Sequence, residues 1–352
     1  MSTSSSFSQI ARILSLTPAL LLACSVESGR PTGAGGDDGV ASLGAGTGDG
    51  TGAEGSTAGE TGGGDDSDSG TNDSGTDGPK FDLASVPGGS DVLLDGECQN
   101  VDLLFVIDNS GSMQDEQASL VASFGGFVAG VQAALESAES YHIGVVTTDS
   151  YSSNAAGCRN LGALVTSTGG NASSNTNCLP FASGMRYLDD TEPDLTAKFS
   201  CIAQVGTSGS GSEIQAEAGY RAVSPNLNAV GACNEGFVRE DALLVVVIIT
   251  DEDDKESCSL FGCSGGSSGN PSNWFQKFVE YKSGIEENIV VLALVGGPNN
   301  SCGAQHCSRL INMTSMFTNG FVGDICAPSY ELFFNDAINV IDDACINFKP
   351  PG

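Results

Sequence analysis

The chain has 352 residues, 12 cysteines, and only 13 lysines and arginines against 44 acids, a formal charge of −31. So few cations exclude a phosphate-tracking surface, and with it nucleic acid as a partner. Twelve thiols fit the disulfides of an exported protein better than a reducing cytosol, so the N-terminus decides the compartment.

Residues 1–12 are polar with a single cation, Arg12, and lead into ILSLTPALLLA, an apolar run of secretory-signal length that is too short to span a bilayer. Residues 1–23 read as a signal peptide. The run closes on Leu21, Leu22, Ala23 and Cys24, which resemble the lipobox of bacterial lipoproteins. That resemblance implies cleavage before Cys24, lipidation of its sulfur, and contact with the membrane through the lipid anchor only. Ser25 follows rather than Asp, which by the same resemblance points to the bacterial outer membrane or cell surface.

Residues 24–80 change in character. From Ser25 to Lys80 there are 18 Gly in 56 residues, 11 acids against two bases, and no aromatic residue. Such a tract cannot bury enough apolar surface to offset its ordering entropy, so it is expected to be a disordered tether reaching roughly 40 Å. The run Asp65 to Gly78 lacks the acid–Gly–Glu order of an EF-hand loop and reads as solvated linker.

Residues 97–348 alternate strand and helix patterns. Continuous apolar, β-branched runs at Val101–Asp108, Tyr141–Thr148, Ala242–Thr250 and Ile289–Val295 predict parallel strands buried on both faces. Helical patterns at Gln114–Ser137, Glu213–Val223, Ser272–Tyr281 and Tyr330–Ala344 predict covering helices. Together they predict an α/β fold, a doubly wound, mostly parallel sheet flanked by helices. The Ser-, Gly- and Asn-rich stretch from Asp149 to Thr207, with three cysteines, reads as an edge excursion stapled by disulfides.

In such a sheet, ligands sit beyond the carboxyl ends of the strands. The first strand delivers Asp108, Ser110 and Ser112 in DNSGSM, with Gly111 expected to allow a tight backbone. The third strand delivers Asp251, and the loop VGTSGSGSE (Val205 to Glu213) adds hydroxyls. Carboxylates and hydroxyls are hard oxygen ligands, suited to Mg²⁺, Mn²⁺ or Ca²⁺ and poorly suited to zinc.

Here the sequence resembles the von Willebrand factor type A domain from about Cys98 to Cys345, and DNSGSM matches the first element of that family's metal-ion-dependent adhesion site. The resemblance implies that Ser110 and Ser112 bind the metal directly, Asp108 directly or through water, and Asp251 from behind them. Thr207 best matches the family's loop ligand, with Ser210 as the alternative. It further implies that a protein partner completes the coordination with an Asp or Glu carboxylate. Asp115 and Glu116 sit where integrin β chains, which share this domain, hold a second cation, but acids in a first helical turn are favoured by the helix dipole without any metal. Within Asp251, Glu252, Asp253 and Asp254, Asp251 alone is expected to serve the site, the rest forming a solvated loop.

Cys258 with Cys263 and Cys302 with Cys307 repeat a four-residue gap and read as local disulfides, with a zinc site including His306 as the competing arrangement. Cys98 and Cys345 bracket the domain and are candidates to join its ends. Eleven cysteines remain beyond Cys24, so at least one is unpaired or intermolecular. Neither His142 nor His306 has a nucleophile in its sequence context, and no enzyme activity is expected. The reading is a lipid-anchored protein that binds a protein ligand through a divalent cation. Its alternative is an envelope scaffold in which the cation is structural.

Overall fold

A computed structural model describes residues 98–134, 138–255, 257–259, 262–299 and 301–350, with backbone only at 131–134, 257–259 and 262–264. The signal peptide, Cys24 and the tether lie outside the described residues.

In chain order, β1 (Asn100–Ile107) is followed by α1 (Gln114–Ala134), β2 (Ser140–Thr147) and a two-residue strand β3 (Leu188–Asp189). Three helices come next: α2 (Leu195–Ala203), α3 (Gln215–Ala222) and α4 (Pro225–Asn228). Then follow β4 (Ala242–Thr250), a small hairpin of β5 (Ser257–Ser259) and β6 (Gly262–Ser264), α5 (Pro271–Tyr281), β7 (Ile289–Val295), α6 (Ser308–Thr314), β8 (Asn319–Asp324) and α7 (Glu331–Ile346). The six-stranded sheet runs β3-β2-β1-β4-β7-β8, and only β3 is antiparallel to its neighbour. It is the doubly wound, mostly parallel sheet expected, with the four apolar runs as its four inner strands.

Both faces of the inner strands are apolar because both are covered. Val101, Leu103, Phe105 and Ile107 of β1 join Val245 and Val247 of β4 on one face, packed with Phe124 and Phe127 of α1, Phe199 of α2 and Phe334 of α7. Leu104 and Val106 point the other way with Val246 and Ile248, against Ala218 of α3, Trp274 and Phe278 of α5, and Met313 of α6. Period-two alternation thus sorts one continuous apolar run into two cores.

The stretch from Asp149 to Thr207 does form a stapled edge excursion, with Cys178–Cys201 inside it and Cys158–Cys233 tying it to the segment before β4. Cys98 and Cys345 are joined, linking the approach to β1 with α7. The expected Cys302–Cys307 bond is not formed: Cys302 pairs with Cys326, and Cys307 is free and buried. The reason is that Cys307 leads into α6 and faces the second core, while Cys302 stays in the exposed loop ahead of it. A zinc site drawn from Cys302, Cys307 and His306 loses its first thiolate in the same way. Cys258 and Cys263 face each other in the backbone register of the β5–β6 hairpin.

Candidate metal centre

The winding reverses between β1 and β4: β2 and β3 lie to one side, β7 and β8 to the other. The register that pairs Ile107 with Ile249 carries Asp108 to the level of Thr250, and the Asp108 N–H donates to the Ile249 carbonyl at 3.0 Å. This is the switch point at which open α/β sheets form sites.

Asp108 is fully buried. Its Oδ1 accepts the Ser110 N–H at 2.8 Å, and its Oδ2 accepts the Thr250 hydroxyl at 2.5 Å. Burial nevertheless pushes the carboxyl up to about 6, and the charge of Asp251 adds to the effect. Ser110 Oγ and Ser112 Oγ lie 3.0 Å apart, and Ser112 donates to Asp251 Oδ1 at 3.1 Å. Asp251 is raised too, by burial, with the Ser112 bond opposing it. Four of the five residues expected at the site are therefore linked in one polar chain. Gly111 has an ordinary negative φ, and a Cβ there would meet nothing within 4 Å. The tight backbone expected of it is not required, and the ground above the two serines is open.

The loop before α3 approaches differently from expectation. The Thr207 N–H donates to Asn171 O at 2.8 Å and the Asn171 N–H to Ser208 Oγ at 2.9 Å, so this part of the loop is held by the edge excursion. Gly209 comes against the triplet, its N–H donating to Asn109 O at 2.7 Å, and the Ser210 N–H donates to Asp149 Oδ2 at 2.8 Å. Among the described residues no hydrogen bond joins Thr207 or Ser210 to Asp108, Ser110, Ser112 or Asp251.

The side chain that this loop buries is Glu213, 3% exposed. One of its oxygens accepts the Thr148 hydroxyl, and the other, Oε1, has no partner. Burial and then the charge of Asp108 push this carboxyl up to about 9. In the sequence Glu213 opens a helical pattern, where an acid needs no further explanation.

Three amides complete the surroundings. Gln117 donates to Asp108 O at 3.3 Å, Gln215 to Thr250 Oγ1 at 3.1 Å, and the Gln305 N–H to Asp251 O at 2.7 Å. Gln117, Gln215 and Gln305 each have a buried Oε1 without a donor, and with Glu213 Oε1 these make four of the seven such atoms among the described residues. None of the ion pairs among the described residues involves Asp108, Glu213 or Asp251. Nor, among those residues, is there a group of three or more His, Cys, Asp or Glu gathered to hold a metal by themselves, so serine hydroxyls have to complete a ligand set. A crest lined with carboxyl and hydroxyl oxygens whose carboxyls have no ion-pair partner among the described residues fits Mg²⁺, Mn²⁺ or Ca²⁺.

The other acids after β4 do not form a solvated loop. Asp254 is fully buried and accepts from the Ala216 N–H at 2.8 Å and Ser267 Oγ at 2.6 Å, while Asp253 accepts from the Arg309 N–H at 3.1 Å. Each satisfies backbone donors in the first turn of a helix, α3 and α6 respectively, which is why burial is tolerated. Asp115 is exposed in the first turn of α1, and Glu116 beside it is buried and raised by desolvation. His142 has a structural setting, its Nδ1 2.8 Å from Phe237 O.

No protein-family model and no curated protein matches the chain. Solved structures similar to it include proximal thread matrix protein 1 from the mussel byssus, at 14% identity over 70% of this chain and 49% of that one, TM-score 0.37. Another is the pilus adhesin SpaC of Lactobacillus rhamnosus GG in an open conformation, at 14% identity over 72% of this chain and 31% of that one, TM-score 0.37. This chain thus spans about half the length of the mussel protein and about a third of the adhesin.

Proposed function

We propose that the chain is a lipid-anchored protein of the bacterial outer membrane or cell surface, resembling von Willebrand factor type A domains, whose crest holds a divalent cation and binds a protein partner through it. The observation that carries the reading is the linked set Asp108, Ser110, Ser112 and Asp251, anchored on two adjacent strand ends and opening to solvent at Gly111 and Ser112. A cation there would supply positive charge beside carboxyls that have no ion-pair partner among the described residues, and an Asp or Glu carboxylate of the partner is the matching group. Binding rather than turnover is the reading, because serine hydroxyls at the crest provide ligands but no poised general base.

A second reading, an envelope scaffold with a purely structural cation, is favoured by Glu213, a further carboxyl buried behind the crest and away from solvent. Capture from envelope extract with Mg²⁺ or with chelator, paired with calorimetric titration of Mg²⁺ and Mn²⁺, separates the two. Asp108→Ala is expected to lose both the cation and the partner, with the fold retained because the residue lies past the end of β1. Unchanged cation affinity in that variant would remove the site. Lost affinity with capture intact would make the cation structural.

A further inference from the structure

We infer that Glu213 is a direct ligand of the cation, an anionic one in the role for which the sequence points to the hydroxyl of Thr207. The inference rests on the proposal that this crest holds a divalent ion. Glu213 is buried to 3% exposure, yet its Oε1 has no hydrogen-bond donor. A carboxylate left so is costly unless something positive meets it. Its other oxygen is already held by Thr148, at the end of β2, which fixes the side chain rather than leaving it to turn toward solvent.

The backbone on either side leaves little freedom. Gly209 N–H is bonded to Asn109 O at 2.7 Å and Ile214 N–H to Thr148 O at 3.0 Å, so the loop is clamped between the strand ends of β1 and β2. A Cβ at Gly209 would lie 2.4 Å from the Asn109 amide, so the chain passes as close to the triplet as a glycine allows. Thr207, two residues earlier, gives its backbone N–H to Asn171 O. With Glu213 beside Asp108, two protein carboxylates meet the ion directly and balance its charge, and Asp251 is held against Ser112. A set of this kind binds a hard cation more tightly than one built on neutral hydroxyls.

The test is calorimetric titration of Mg²⁺, Mn²⁺ and Ca²⁺ into the full chain, comparing wild type, Glu213→Gln, Thr207→Ala, Asp108→Ala and Glu217→Gln. Glu217→Gln removes a charge one turn further along, where the carboxylate pairs with Arg221. Glu213→Gln is expected to weaken binding by about tenfold or more, and Glu217→Gln by less than about threefold. Thermal unfolding adds a second readout: in chelator Glu213→Gln is at least as stable as wild type, because a desolvated carboxylate is gone, whereas saturating Mg²⁺ raises the wild-type Tm more. A variant destabilised equally with and without metal would make Glu213 a structural residue and overturn the inference. So would tenfold loss in Thr207→Ala with none in Glu213→Gln. Wild type that binds no cation would overturn the metal reading as a whole, whereas loss confined to Asp108→Ala would leave that reading standing and remove Glu213 alone.

Discussion

Asp102 shows how little an apolar-looking strand reveals of a charge placed inside it. It is fully buried in β1, where Arg239 donates to it from Nε at 2.8 Å and from its backbone N–H at 2.6 Å, and burial still outweighs these bonds, so its pKa rises to about 6. His142 on the neighbouring strand is 9% exposed, and burial lowers it to about 4. The two oppose each other in acid. Between about pH 6.5 and 4 the unfolded chain protonates its histidine while native His142 resists, so stability falls with pH; between about 6 and 4 native Asp102 takes a proton before the unfolded chain does, so stability rises. In the native chain the two slopes largely cancel. His142→Asn should therefore gain on wild type by on the order of 2 kcal/mol as pH drops from about 7 to about 4.5, read by urea unfolding at each pH. A difference that does not change with pH would show that His142 titrates in the folded protein as it does unfolded.

Elements were legible where one local rule decided them. The four β-branched runs became β1, β2, β4 and β7 within a residue at either end, because burial on both faces demands unbroken apolar sequence. β8 was not legible: NGFVGD is rich in turn residues, and as an edge strand it alternates half-buried and exposed positions. The site divides in the same way. Asp108, Ser110, Ser112 and Asp251 are contiguous with strand ends and could be found by spacing. Glu213 could not, because its role arises from β2 and the loop packing across β1, and a Glu opening a helix looks like any first-turn acid. The clamp on that loop supports a prediction. Gly209→Ala places a methyl group against Asn109, whose backbone carbonyl would also be only 2.7 Å away, so the loop must lift from the triplet. Cation affinity should fall by about tenfold while the cores on both sheet faces, and hence the Tm in chelator, change little. An unchanged affinity would mean that the loop does not contribute to the site.

At the scale of the molecule, the folded part begins at one end of β1 and carries the crest at the other. The chain enters β1 just after Cys98 and leaves it at Asp108, eight residues later, or about 26 Å at about 3.3 Å each. Cys98 is bonded to Cys345 across 247 residues of sequence, a closure that loop entropy values at about 5 kcal/mol at most. The bond ties the approach to β1 to α7 within the folded part. If Cys24 is the lipidated residue, its loss should separate attachment from binding. Cys24→Ser is expected to leave the membrane fraction, to carry no labelled fatty acid, and to keep the Mg²⁺ affinity and the thermal stability of the wild-type domain. A Cys24→Ser chain that remained acylated and membrane-bound would refute the lipoprotein reading, and one that was released but no longer bound Mg²⁺ would show that the anchor segment contributes to the crest after all.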